Sequence, residues 1–131
     1  MRRHLAAFGV AAAVFLLLDA AWLTLMTPVL YRPAIGHLMR EDFDVVAAIA
    51  FYATYLAGIL VFVVNPAIDA RRALLRGAFF GFVCYATYDL TNQATVVQWP
   101  WRVTLADLCW GAFVTSVSSG AAFWAGRPRH A

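Results

Sequence analysis

The sequence predicts an all-α membrane protein: a single domain formed by a compact antiparallel bundle of four transmembrane helices. The first observation behind this prediction is composition, since 63% of the 131 residues are hydrophobic and only 13% are charged. Because soluble domains carry roughly 25% charged residues, a soluble fold of this size could not cover its apolar surface. The second observation is that the chain divides into four long apolar segments, and the third is that turn residues separate them.

The four apolar segments have the length of membrane-spanning helices. They cover about residues 5–27, 45–65, 73–92 and 103–125. Segments of about 20–23 residues cross a hydrocarbon core roughly 30 Å thick. We expect the breaks at Pro28 and Pro33, at Pro66 and at Pro100, because proline lacks an N–H and disfavours helix in the residue before it. Trp99, beside the last break, suits a membrane–water interface with its N–H in water.

The distribution of arginine predicts the orientation of the bundle. One end of the predicted helices carries seven arginines and the other carries three, namely Arg2, Arg3, Arg71, Arg72, Arg76, Arg127 and Arg129 against Arg32, Arg40 and Arg102. Since arginine is enriched in cytoplasmic loops, both termini are expected in the cytoplasm. The first segment starts like a signal peptide but continues past Ala21 to Thr27, so we interpret it as an uncleaved signal-anchor helix.

Three aspartates, Asp19, Asp89 and Asp107, lie inside the predicted helices. A charge at the bilayer centre costs about 2.5–3.5 kcal/mol on insertion scales, so such residues normally face the bundle interior. With a rise of about 1.5 Å per residue, Asp19 lies roughly 5 Å, and the other two roughly 10 Å, from the midplane toward the outer face. Acids that are distant in sequence thus reach similar depths. Because three close carboxylates cannot all stay ionised in a low dielectric, we expect at least one to be protonated.

Polar and aromatic residues accompany each aspartate at helical spacing. The residues predicted to line a polar pocket in the outer half of the bilayer are Asp19, Trp22, Tyr52, Tyr55, Tyr85, Asp89, Asn92, Asp107 and Trp110. Tyrosine hydroxyls and indole N–H groups can donate to the carboxylates, and Arg32 and Arg102 can reach Asp19 or Asp107 by snorkelling. The alternative is that the aspartates only tie the helices together.

Several short motifs also resemble a known family. They are Asp19-Ala20-Ala21-Trp22, Leu30-Tyr31-Arg32, residues 51–58, residues 81–92, Trp99-Pro100 and residues 107–111. Over nearly the whole chain they resemble a family of uncharacterised bacterial membrane proteins, domain-of-unknown-function family 2177 (DUF2177). The resemblance implies a compact four-helix protein of the bacterial inner membrane. It brings no established activity, cofactor or catalytic residue.

Three classes of function remain open at this point. The first is a small binding or accessory protein whose pocket holds a lipid head group, a small polar ligand or a partner helix. The second is a proton or cation transporter, acting as a homodimer whose copies meet through the small-xxx-small pattern of Gly77 and Gly81. The third is an intramembrane acid–base enzyme that acts on lipid. No metal-ligand spacing is present, and a net charge of only +3 argues against a nucleic-acid partner.

Overall fold

The computed structural model describes residues 1–127, a range that contains helices and no strand. Arg129, which contributed to the arginine count, lies outside the described residues. The helices are α1 (Arg2–Met26), α2 (Arg32–Ile35), α3 (Val45–Gly58), α4 (Ala70–Thr95) and α5 (Trp101–Gly126). Three helical stretches within this range are long and apolar enough to cross a membrane: Arg2–Leu38, Val45–Val64 and Trp101–Ala125.

The first helix does not stop where the prolines predicted. A π-helical turn, Thr27–Tyr31, contains Pro28 and joins α1 directly to α2, which contains Pro33. In this turn the Arg32 N–H donates to the carbonyl of Thr27. The wider π turn accommodates a residue that has no N–H to place in the α-helical pattern. The predicted end of the helix at Thr27 is therefore wrong, and Tyr31 sits on a helical extension of α1 instead of in a loop.

Side-chain caps set the starts of α3 and α4. The Asp44 carboxylate accepts the Ala47 N–H at 3.0 Å, and the Asp69 carboxylate accepts the Arg72 N–H at 2.7 Å. Such caps satisfy N–H groups that have no partner within the helix. A second π-helical turn, Ile59–Val64, extends α3. The two caps bracket the second apolar segment and the connection that follows it.

The helices α4 and α5 pack closely through small residues. A Cβ atom added at Gly77 would lie 2.7 Å from Ser119 Oγ, and one added at Gly81 would collide with the Gly111 carbonyl. Positions that ascend along α4 meet positions that descend along α5, so the two helices run in opposite directions. The face formed by Gly77 and Gly81 is occupied by α5 of the same chain. The prediction that two copies meet through these glycines therefore needs correction.

The long helix α1 packs against α5 in the same opposite order. Trp22 stacks on Trp110 with ring centroids 4.5 Å apart. At the far end of the pair, a Cβ atom added at Gly126 would lie 3.2 Å from the Ala7 Cβ. The helix α5 thus lies between α1 and α4 and contacts both along its length. Its small and polar face supplies much of the bundle interior.

The distribution of polarity is the reverse of that in a soluble domain. Large apolar side chains such as Leu17, Val46 and Phe79 are exposed, whereas Asp89 and Thr104 are fully buried. A soluble monomer rarely exposes large continuous apolar surface. Hydrocarbon is the medium in which such a surface is stable, so the outer face of the helices is suited to contact with lipid.

Candidate ligand-binding cavity

A partly open cavity of about 590 Å³ lies between the helices, toward the end that carries α2. Ten of its 17 lining residues are aromatic, namely Trp22, Tyr31, Phe43, Phe51, Tyr52, Tyr55, Tyr85, Tyr88, Trp99 and Trp110. Two, Asp19 and Asp107, are acidic, and within the described part of the chain no Arg, Lys or His lines the cavity. The walls are therefore mainly apolar, with a small number of polar groups at defined positions.

Asp19 lies on α1 and is held by donors from two other helices. Its Oδ2 accepts the Tyr52 hydroxyl of α3 at 2.5 Å, and its Oδ1 accepts the Trp110 indole N–H of α5 at 3.3 Å. The residue is only 7% exposed, so these donors replace the water that the carboxylate loses on burial. One acid thus ties three helices together at the cavity wall.

Asp107 of α5 is connected to α1 through a tyrosine. Its Oδ1 accepts the Tyr31 hydroxyl, and the Tyr31 oxygen in turn accepts the Trp22 indole N–H at 2.8 Å. Each Asp-x-x-Trp motif therefore serves the other helix: Trp110 donates to Asp19, and Trp22 is linked through Tyr31 to Asp107. The sequence showed the repeated spacing but not this exchange between helices.

Tyr31 is the residue of this network that the sequence-based prediction missed. The predicted breaks at Pro28 and Pro33 put Tyr31 between helices, whereas it lies in the π-helical turn that continues α1 and donates to Asp107. Its presence in the Leu30-Tyr31-Arg32 motif of the family resemblance was the available signal. Helical spacing alone does not identify Tyr31 as a donor to Asp107, because a predicted break separates it from the first apolar segment.

Asp89 and Asn92 do not line the cavity. Asp89 is fully buried and lies beside Asp107, and neither of its oxygens accepts a hydrogen bond from a donor among residues 1–127. The expectation that at least one of the three aspartates is protonated stays a prediction. Asn92 is half-buried on the same helix.

Tyr55 and Tyr85 form wall positions and do not donate to the acids. The Tyr55 hydroxyl pairs with Thr115 Oγ1 at 2.7 Å. The Tyr85 ring lies so close to Gly111 that a Cβ atom there would overlap it. Both rings line the cavity, so the small residues of α5 create the space that these rings occupy.

A second hydrogen-bonded group closes the connection between α4 and α5. The Trp99 indole N–H donates to Thr104 Oγ1 at 3.1 Å, and the Thr104 hydroxyl donates to Gln93 Oε1 at 2.8 Å. The Gln93 Nε2 amide donates a hydrogen bond to the Trp99 carbonyl oxygen at 2.7 Å. Trp99 is buried and its N–H is satisfied by protein, so the prediction that this N–H stays in water is wrong.

The predicted ion pairs of Arg32 and Arg102 with the aspartates are also absent. Within residues 1–127 the one ion pair joins Arg72 to Asp69 at 3.9 Å on the exposed start of α4. Neutral donors from tyrosine and tryptophan occupy Asp19 and Asp107 instead. In the same part of the chain, no three or more His, Cys, Asp or Glu side chains are grouped so that they could hold a metal ion.

Comparison with known proteins gives one match. A family model described as "Predicted membrane protein (DUF2177)" matches residues 4–124. No curated protein and no solved structure is detectably similar to the chain. The matched range contains the whole cavity network, from Asp19 to Trp110.

Proposed function

Because the chain belongs to DUF2177, a family of predicted membrane proteins, we propose that it is an inner-membrane protein that binds an amphipathic ligand between its helices. The observation that carries this proposal is the cavity of about 590 Å³ with its ten aromatic and two acidic lining residues. Sites for small molecules are typically concave, about 300–1,000 Å³ in volume and mostly apolar, with a few polar groups that fix orientation. The ligand is a lipid head group, a small polar molecule or a partner helix.

The proposal includes α4 as a fourth transmembrane helix in a compact antiparallel bundle. With 26 residues, α4 is long enough to span a bilayer, which needs about 20 residues. Its outer face exposes Leu75, Phe79, Phe82 and Leu90, whereas its glycines and Asp89 are buried against α5. The mean hydropathy of such a helix underestimates how apolar its lipid-facing surface is, since the residues that lower the mean face the bundle interior.

The proposed orientation places both termini in the cytoplasm. A cleft of about 280 Å³ at the end of the bundle away from the cavity is lined by Arg3, His4, Asn65 and Arg127. The N-terminus, the connection after α3 and the end of α5 thus share one end, and this end is basic. Since cytoplasmic ends are enriched in arginine, the ligand-binding cavity belongs in the outer half of the bilayer.

Preorganisation supports a binding role over a purely structural one for the two acids. Asp19 and Asp107 are each fixed by aromatic donors, and both carboxyls remain on the cavity wall. Interhelical hydrogen bonds in membranes contribute only about 0.6 kcal/mol on average, which is small beside the cost of burying a carboxylate. A cavity lined by rigid, prepositioned groups loses little conformational entropy when a ligand binds.

The close packing of α4 on α5 argues against the alternative of a transporter. A transported ion needs a path through the inner half of the bundle. There, Gly77 and Gly81 of α4 lie against Ser119 and Gly111 of α5, so no path runs between these two helices at that level.

The proposal is tested by filling the cavity. Ala48 is half-buried and lines it, whereas Ala50, two residues further along α3, is exposed and does not. We expect Ala48→Phe to reduce, at least severalfold, the amphiphile that stays with the protein after extraction in a mild detergent. Ala50→Phe, which adds the same ring on the outer face, should leave it unchanged. Native mass spectrometry of both variants measures the retained mass.

Equal retention by the two variants would count against a ligand in the cavity. Both variants must be folded, with unchanged helical circular dichroism, for this comparison. If the unsubstituted protein retained no amphiphile, that result would also count against a ligand in the cavity.

A further inference from the structure

The charge of the cavity points to the class of ligand. Asp19 and Asp107 lie on its wall, and Asp89 lies directly beside Asp107. Among residues 1–127, no basic side chain lines the cavity, and the ion pair in this range is at the start of α4. The acids therefore have no positively charged partner within the described part of the chain.

The donors that contact the acids are all neutral. Asp19 accepts from the Tyr52 hydroxyl and the Trp110 N–H, and Asp107 accepts from the Tyr31 hydroxyl. Such donors stabilise carboxylate oxygens without cancelling negative charge. An anionic head group at this wall would meet carboxyl groups and no compensating cation, which is unfavourable in a low dielectric.

The aromatic walls favour a cation independently of the acids. Phe51 packs against Tyr52 and Tyr55 with ring centroids 5.0 and 5.5 Å apart, and Trp22 and Trp110, which also line the cavity, stack directly on each other. Aromatic ring faces carry negative potential and attract ammonium groups within about 6 Å, most strongly where water is excluded. Apolar rings also bind the hydrocarbon part of an amphiphile.

Asp89 supplies a further, separate observation. It is fully buried, and its oxygens have no donor among residues 1–127. A buried carboxyl in this condition is unfavourable, and a positive charge in the neighbouring cavity would reduce this cost. Metal ions are poor candidates, because the described side chains offer no group of three or more ligands.

Resting on the proposed function, we infer that the ligand is an organic cation, an ammonium group on an apolar body, held by the acid pair and the aromatic rings. The carboxylates of Asp19 and Asp107 attract the charge, and the rings enclose the body. An anionic phospholipid head group is the class that this cavity rejects.

The test compares three probes of one shape and different charge. Benzyltrimethylammonium is the cation, neopentylbenzene is its neutral isostere, and phenylmethanesulfonate is an anion on the same ring. The protein is reconstituted in nanodiscs, and the readout is protection of Cys84, which lines the cavity, from alkylation in the Cys109→Ser background. Cys109 is exposed and outside the cavity, so its alkylation in the Cys84→Ser background serves as the control for nonspecific effects.

We expect the cation to protect Cys84 at a concentration at least about tenfold lower than the neutral isostere, with no protection by the anion. Asp19→Asn and Asp107→Asn, which keep shape and remove charge, should each raise the concentration of cation needed by about tenfold. Protection by the neutral or anionic probe at the same concentration as the cation would overturn the inference and leave a ligand site in place. Absence of protection by all three probes would overturn both the inference and the proposed function.

Discussion

The two ends of the α4–α5 pair differ in what separates the helices. At the end near Gly77 and Gly81, small residues allow the backbones to meet. At the other end lies the cavity of about 590 Å³, which is lined on the α4 side by Tyr85 and Tyr88 and on the α5 side by Asp107. The same two helices thus form a tightly packed half and a half with space for a ligand.

This difference gives the bundle one closely packed half and one half that contains the proposed binding site. Close backbone contact, driven by van der Waals packing, is the main source of helix association in lipid. In the aromatic half, hydrogen bonds between side chains on different helices join the bundle. Substitutions in the packed half should therefore affect stability most, and those in the aromatic half should affect stability less and ligand binding more.

The largest effect is expected in the packed half. Gly81→Ala places a Cβ atom against the Gly111 carbonyl, and we expect a loss of about 3 kcal/mol in the free energy of unfolding, as in overpacked cores. Gly9→Ala is the matched control, because no atom lies within 4 Å of the added Cβ. Unfolding in mixed micelles by titration with dodecyl sulfate measures both. Equal stability of the two variants would mean that α4 and α5 are not in close contact.

A smaller effect is expected in the network of the aromatic half. Tyr31→Phe removes a hydroxyl that joins Trp22 to Asp107. Because the buried Asp107 oxygen and the half-buried Trp22 N–H then lose this partner, we expect a loss of about 2 kcal/mol. Tyr52→Phe removes one bond to Asp19, which keeps its bond from Trp110, and the expected loss is about 0.6 kcal/mol. The same titration measures both losses of stability. A larger loss for Tyr52→Phe than for Tyr31→Phe would contradict the role of Tyr31 as the link between Trp22 and Asp107.

The connection between α4 and α5 provides an intermediate case. Thr104→Val removes the oxygen that links Trp99 to Gln93 while keeping the side-chain shape, and should cost about 1 kcal/mol. Thr91→Val is the comparison, since the Thr91 hydroxyl is exposed and bonds only carbonyls of its own helix. Tryptophan emission should shift in Thr104→Val alone. Identical spectra for both variants would place Trp99 outside this group.

The start of α4 offers a comparison between a helix cap and an exposed ion pair, and the ion pair has the smallest expected effect of all. Asp69→Ala removes the cap that accepts the Arg72 N–H and should cost about 1 kcal/mol. Arg72→Ala removes an ion pair whose side chains are 64% and 53% exposed, and should change stability by about 0.2 kcal/mol. Chemical denaturation measures the free energy of unfolding of both variants and distinguishes the two losses. A larger loss for Arg72→Ala would indicate a role beyond the surface pair.

Most of the helices could be predicted from the sequence, because long apolar segments are a strong indication of membrane-spanning helices. The prediction of a membrane protein in this family is confirmed by the family match over residues 4–124. The structure starts α3 at Val45 and extends α4 and α5 to Thr95 and Gly126. The error at Pro28 has a physical cause, since a π-helical turn allows a helix to continue past a residue that lacks an N–H. Proline in a sequence marks a missing donor and does not by itself mark the end of a helix.

The cavity was only partly predictable for a different reason. Because the rise per residue of a helix is regular, the sequence predicted that Asp19, Asp89 and Asp107 lie at similar depths in the bilayer. Spacing along a helix does not tell which neighbour a side chain faces, so the donation from Trp110 to Asp19 and the role of Tyr31 were not foreseen. Placement of Asp89 behind the wall instead of on it depends on helix rotation, which a periodic pattern fixes only coarsely.

The most direct test of the cavity as a ligand site is photocrosslinking from its wall. Phe51 lines the cavity, whereas Phe62, on the same helical stretch, is exposed and outside it. Replacement of each by p-benzoylphenylalanine, followed by irradiation in native membranes and mass spectrometry, identifies what each position touches. We expect position 51 to capture an amine-bearing amphiphile that is enriched over its abundance in the membrane, and position 62 to capture bulk lipid. Capture of the same bulk lipids in the same proportions at both positions would contradict a specific site.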